Sequence, residues 1–196
     1  MELEKRLQSF PYKLILGSAS PRRQELLKSL GFSYTLSPVN ADEQWPQELK
    51  GEQISLFLSK LKSDGFNRPL EKNELLITAD TIVWCENKVY NKPLDFEDGK
   101  KMLASLAGRM HEVFTSVCLR SADKRVSFTD CSKVFFKPLS EAEIEYYLRN
   151  FKPYDKAGAY GVQDWLGYVA IEKIEGSFYN VMGLPVKLLY EHLMDF

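Results

Sequence analysis

The sequence predicts an α/β fold: an elongated, mixed and twisted β-sheet flanked by helices. Two observations carry the α/β assignment. Between Leu14 and Ala107, short apolar runs of strand length alternate with segments whose apolar residues recur at helical spacing. From Met110 onward, long extended runs dominate and read as an antiparallel hairpin. A hydrophobic content of 44% over 196 residues is enough for one packed domain spanning 1–196, or for two small lobes sharing a core.

The stretch from Lys13 to Leu30, KLILGSASPRRQELLKSL, organises the chain. A short strand (Leu14, Ile15, Leu16) runs into a turn of small residues (Gly17, Ser18, Ala19, Ser20) and then a helix. Ser20 suits an N-cap, and Pro21 suits the first helical position, where its missing N–H would be unbonded anyway. Gly31 supplies the stop. Arg22 and Arg23 occupy the first turn, the positive end of the helix dipole, where cations are ordinarily disfavoured. The pair reads either as solvated surface arginines or as the partner of a multivalent anion such as phosphate.

Ser33 to Ser37 is a second strand, ended by Pro38. Asn40–Glu43 is an acidic loop, in which Glu43 fits a solvated turn or a divalent-metal ligand. Gly51 to Asp64 has Ile54, Phe57, Leu58 and Leu61 at helical spacing, with Lys62 on the flank of that stripe. From there a long stem can lean along the core towards a neighbouring site, or lie in water. Glu74 to Trp84, ELLITADTIVW, is the most apolar stretch and reads as one buried strand or two meeting at a break. Asp80 stands in its middle. A carboxylate is rarely buried without a partner, so Asp80 is a turn or cap residue or, the reading its apolar flanks favour, a catalytic or metal-binding group on a rigid element.

Glu86–Lys88 reads as a hairpin turn, and Lys92 before Pro93 is held extended, facing phosphate or water. Asp95 to Ala107 is a helix stopped by Gly108. Met110 to Arg120 and Arg125 to Lys137 form the hairpin. Ser140 with Glu143 is a capping box for a helix over Glu141–Arg149. Tyr154–Gln163 is a shaped loop, Leu166–Ile174 a strand, Glu175–Pro185 a turn, and Val186, Leu189 and Leu193 belong to a final helix.

Several function classes fall away. A net charge of -1 argues against nucleic-acid and membrane-surface binding, and no apolar run approaches a membrane span. The opening MELEKRLQSF lacks the order of a signal peptide. Three cysteines (Cys85, Cys118, Cys131) in strand-like sequence read as reduced, buried thiols of a cytoplasmic protein. Two histidines leave no multi-histidine metal site, and there is no GxxxxGK[ST], GxGxxG, CxxC or GxSxG. What remains is Arg22, Arg23, Lys62 and Lys92 with Glu43 and Asp80. Cations to neutralise polyphosphate and carboxylates to hold a metal or activate water are what phosphoryl chemistry needs.

Seven motifs occur in order: LGSASPRRQELL, the Asn40–Glu43 loop, ITADTIV, NKP, GRMHEVFTSV, YDKAGAYGVQ and EGSFYNVMGLP. Together they resemble the Maf family, a branch of the inosine-triphosphatase-like nucleotide pyrophosphatases, over nearly the whole chain. The resemblance implies two lobes with a central cleft. It also implies hydrolysis of nucleoside triphosphates to the monophosphate and pyrophosphate, assisted by Mg²⁺ or Mn²⁺. By motif, Asp80 matches the proton acceptor, and Ser18, Arg22, Arg23, Lys62 and Lys92 match substrate contacts. Glu43, with Asp80, matches the metal-holding pair. Arg22, Thr81 and Gln163 match positions associated with choice of base, in the branch that acts on dTTP and UTP. The segment around Lys62, FLSKLKSD, departs from the family pattern and makes Lys60 a competitor, but the apolar stripe keeps Lys62 in register. Two alternatives stay open: a non-catalytic nucleotide-binding regulator linked to cell division, and a pyrophosphatase for another modified nucleotide such as 7-methyl-GTP. The oligomeric state, homodimer included, is not fixed by the sequence.

Overall fold

The computed structural model describes residue 7 and residues 9–196, so most of the opening segment read above as unlike a signal peptide lies outside the described residues. Seven strands form a mixed sheet flanked by helices. They are β1 (Lys13–Leu16), β2 (Tyr34–Leu36), β3 (Glu74–Cys85), β4 (Lys88–Tyr90), β5 (Met110–Arg120), β6 (Arg125–Phe136) and β7 (Ile171–Glu175). Their order is β2-β1-β3-β5-β6-β7, with β4 paired to β3 off that path. β1 runs parallel to both β2 and β3, in the register Leu16↔Leu36 and Leu16↔Ile77. β4 and β7 pair antiparallel with β3 and β6. The helices are α1 (Pro21–Ser29), α2 (Glu52–Asp64), α3 (Phe96–Leu106), α4 (Glu141–Phe151), α5 (Trp165–Ala170), α6 (Phe178–Met182) and α7 (Val186–Met194).

The local signals act as their chemistry dictates. Ser20 caps α1 by accepting from the Arg23 N–H, and Ser140 and Glu143 form a reciprocal capping box on α4. Such caps are each worth about 1 kcal/mol. The apolar run at Glu74–Cys85 is one unbroken strand, buried on both faces along Leu75, Leu76 and Ile77. That double burial suits a strand covered by helices on either side.

Four expectations are corrected. Leu166–Ile174 is not one strand: Asp164 precedes a helix, α5, and only Ile171–Glu175 is extended. Leu166 and Ala170 are buried one helical turn apart while Tyr168 between them is exposed, a helical spacing inside a run rich in β-formers. The turn at Glu175–Pro185 contains α6, anchored by the buried Asn180, whose amide donates to Val113 O and Ser132 Oγ at 2.9 Å each. Cys85 and Cys118 are buried, but Cys131 is exposed. The buried face of α2 is not the stripe of Phe57 and Leu61, which are only half-buried. It is Ile54, Ser55, Leu58, Ser59 and Ser63.

The chain divides into two compact units, each made of discontinuous pieces. The first holds Met1–Asp80, Thr115–Thr129 and Gly183–Phe196; the second holds Thr81–Phe114 and Asp130–Met182. β3, β5 and β6 contribute residues to both. The first unit packs Ile15, Phe66 and Leu76 with Val39 and Leu70, beside the buried hydroxyls of α2. The second has an aromatic-rich core that includes Leu103, Phe136, Tyr147, Leu148, Tyr160 and Leu166. Gly167 in that unit admits no side chain, since a Cβ there would lie 1.9 Å from Val162 O.

Candidate active site

In the first unit, β1 ends at Leu16 and the chain turns through Gly17, whose N–H donates to Ile77 O at 2.8 Å. A Cβ at Gly17 would lie 2.8 Å from the methyl of Thr78, so only glycine lets this turn lie against β3. Ser18 follows, nearly buried. Its hydroxyl accepts from the Ser20 N–H at 3.3 Å and from Arg23 Nη1 at 3.4 Å. Arg23 Nε donates to Gly183 O at 2.8 Å, which ties α1 to the turn preceding α7. Arg22, next to it in the first turn of α1, is half-buried.

Asp80 lies on β3 with 5% of its surface exposed, enough to exclude a solvated turn carboxylate. Lys62, reaching over from α2, donates from Nζ to Asp80 Oδ1 at 2.5 Å and sits 2.9 Å from Glu43 Oε1. Lys62 and Asp80 are shielded, whereas Glu43 is 45% exposed on its loop. Of the two lysines in FLSKLKSD, Lys62 is the one whose ammonium reaches Asp80.

Burial pushes the Asp80 carboxyl above the usual carboxylate range, against the opposing pull of the Lys62 ammonium and the Arg23 guanidinium. Enclosure lowers the Arg23 pKa, with Asp80 and Glu43 pulling upward and Arg22 downward. Three cations (Arg22, Arg23, Lys62) against two carboxylates (Glu43, Asp80) leave a surplus of one positive charge. The positive end of the α1 dipole adds to it. The arrangement can hold an anion and present a carboxylate to it.

Asp80 and Glu43 converge on one locus, so their oxygens match the hard ligands that Mg²⁺ or Mn²⁺ takes. Among the described residues no group of three or more His, Cys, Asp or Glu could hold a metal ion. The pair would supply two carboxylate ligands to such a cation, and any others would come from outside these residues.

Thr81, Lys92 and Gln163 belong to the second unit. Thr81 follows Asp80 on β3, where successive side chains turn to opposite faces. Adjacency in sequence therefore does not bring its hydroxyl to the carboxylate. Lys92 is exposed in the loop after β4, where Asn91 O accepts from the Gly158 N–H at 3.1 Å. Gln163 is half-buried, and its Oε1 is enclosed without a hydrogen-bond partner among the described residues. The loop that carries it is fixed by Tyr147, whose hydroxyl donates to Asp164 Oδ2 at 2.9 Å and accepts from the Gly161 N–H at 3.0 Å. The sequence did not single out the Gly183 carbonyl or the Thr78 hydroxyl. The only signals were a glycine in a predicted turn and a threonine on the same strand face as Asp80.

Fold and site together define an α/β protein with a cation-rich, carboxylate-bearing centre. The chain belongs to the Maf-like family, whose family model, described as Maf-like protein, matches residues 13–196. It is similar to curated proteins named dTTP/UTP pyrophosphatase. One, from Bacteroides thetaiotaomicron, is 49% identical over 93% of this chain and 95% of the relative. Another, from Flavobacterium johnsoniae, is 47% identical over 93% and 94%. A third, from Porphyromonas gingivalis, is 45% identical over 94% of each. The likeness to the solved Ham1 protein of Staphylococcus aureus, with TM-score 0.49 and 13% identity over 92% of this chain and 99% of that one, is too slight to carry an argument.

Proposed function

We propose that this protein hydrolyses dTTP and UTP to the monophosphate and pyrophosphate. The observation that carries the reading is the buried Asp80 carboxylate held by Lys62 and flanked by Arg23 and Glu43, in a chain closely similar to dTTP/UTP pyrophosphatases. Arg22, Arg23, Ser18 and the first turn of α1 bind the triphosphate. Lys62 shares its ammonium between Asp80 and the incoming phosphate and favours the ionised carboxylate against the effect of burial. With Oδ1 engaged by Lys62, Oδ2 accepts the proton of the water that attacks the α phosphorus. Asp80 and Glu43 would hold a divalent cation, which would supply charge neutralisation for the departing pyrophosphate.

Lys92 is proposed as a further phosphate contact, and Thr81 and Gln163, with Arg22, as determinants of the base. The enclosed Oε1 of Gln163 supports its part. An amide offers both donors and acceptors, which a uracil or thymine edge complements, and which end faces the base follows from the ligand. Buried, unpaired Cys85 and Cys118 support a reducing compartment, the cytoplasm. The test is product analysis over a panel of pyrimidine and purine triphosphates, including 7-methyl-GTP, with Mg²⁺ and with a chelator. Release of pyrophosphate from dTTP and UTP, lost with chelation, is expected. Release of orthophosphate, or a preference for GTP or 7-methyl-GTP, overturns the reading.

A further inference from the structure

Two side chains project from the same face of β3 towards α2. Thr78 and Asp80 are two residues apart on the strand and therefore point the same way. Ser59 and Lys62 are three apart on α2, one turn along the helix. The contacts between them form two rungs: Thr78 Oγ1 donates to Ser59 O at 2.7 Å, and Lys62 Nζ donates to Asp80 Oδ1 at 2.5 Å. Both Thr78 and Ser59 are fully buried. The Ser59 carbonyl lies inside the helix, where the ladder already uses one lone pair, so the threonine bond is an added tether rather than a cap. The methyl of the same Thr78 lies against Gly17, at the start of the turn that carries Ser18.

We propose that Thr78 is a positioning residue of the hydrolytic site, fixing the height of α2 on β3 so that the Lys62 ammonium meets Asp80. The proposal rests on the roles given above to Lys62 and Asp80. The two rungs differ in reach: a threonine hydroxyl to a backbone carbonyl, and a long lysine stem to a carboxylate. The short rung, Thr78 to a backbone carbonyl, sets the spacing, and the long lysine stem takes up the remainder. Without the short rung α2 keeps its bonds to β5, between Ser55 and Ser116 and from Arg120 to Ser63 O, but loses its tether to β3 beside Lys62. The flexible lysine would then meet Asp80 in several arrangements instead of one, and displacement of a reacting group by an ångström can cost a large factor in rate.

The test compares Thr78→Val, which keeps the branched shape and the methyl towards Gly17, with Thr78→Ser, which keeps the hydroxyl. Each is made in the normal chain and in a Lys62→Met background. Thr78→Val should lower kcat for dTTP roughly tenfold while KM changes by less than about twofold, and Thr78→Ser should restore most of the loss. In the Lys62→Met background Thr78→Val should add nothing further.

An unchanged kcat in Thr78→Val overturns the proposal, and so does a loss that Thr78→Ser does not restore or an equal loss in both backgrounds. If Thr78→Val does not fold, Thr78→Ala, which brings no added bulk, carries the same expectations and the same refutation. Full activity of Lys62→Met by itself has a different meaning: it removes the reading of the site, and the positioning role with it.

Discussion

The two compact units of this chain bury polarity in opposite ways. In the first, charged groups are enclosed together: the Lys62 ammonium and the Arg23 guanidinium oppose the rise that burial imposes on the Asp80 carboxyl, and a surplus of positive charge remains. In the second, the buried titratable groups are kept neutral. His111 sits among Phe136 and Tyr160 with Nε2 and the Tyr160 hydroxyl 2.8 Å apart, and burial pushes its pKa down to about 4. Buried charges in mutual contact are costly to assemble and useful for chemistry, whereas buried neutral pairs mainly hold a core together. Substitutions in the first centre should therefore appear in kinetics, and those around His111 in stability.

The strongest break of this contrast is Asp80→Asn. Turnover of dTTP should fall by at least 10²–10³, the scale for removing one preorganised reacting group. Binding of a non-hydrolysable triphosphate should hold or tighten, because the cations keep their charge. Because the folded-state pKa of Asp80 is raised, its ionised form costs stability above the unfolded pKa, and the melting temperature should not fall. Activity near that of the unaltered protein would remove Asp80 from the reaction.

Acid should act on the second unit through His111. Its folded pKa, about 4, lies below the unfolded 6.5, so its neutral form stabilises the fold in full above pH 6.5. That stability is lost as pH falls from about 6.5 to about 4. A difference of 6.5 - 4 = 2.5 corresponds to about 3 kcal/mol. Denaturant titrations of the protein and of His111→Gln across this range should show the slope in the first and its absence in the second. Equal slopes would mean that His111 is not the sensor.

Arg23→Ala comes next. Loss of a charged donor to Gly183 O and Ser18 should lower kcat/KM by roughly 10–100-fold, with about 1–3 kcal/mol of stability. Kinetics beside a melting curve separate the two. Loss of stability alone would make Arg23 a structural brace between α1 and the turn before α7.

The smallest effect sharpens the contrast, because it asks the second unit for a kinetic change. Gln163→Glu should shift the ratio of dTTP to CTP turnover by ~10-fold and leave the melting temperature alone. An unchanged ratio would confine selectivity to other residues.

Much of this was legible along the chain. The strand–turn–helix opening, the cap at Ser20, the capping box of Ser140 with Glu143, and the glycine after α1 are signals carried within a few residues. Local backbone chemistry decides them. Asp80 stood out because a carboxylate inside an apolar run is itself improbable. Tertiary structure alone decided that Arg23 reaches Gly183, 160 positions away, and that the Lys62 ammonium meets Asp80. It also decided that the buried face of α2 is lined with serines. Hydroxyls count as polar in any periodicity, yet Ser55 and Ser59 are buried at no loss, because they bond to Glu52 O and Leu56 O on their own helix and Ser55 to Ser116 on the sheet. The helix itself supplies the first two partners, but Ser116 arrives only when distant segments pack, which is why the sequence could place the helix but not its inner face.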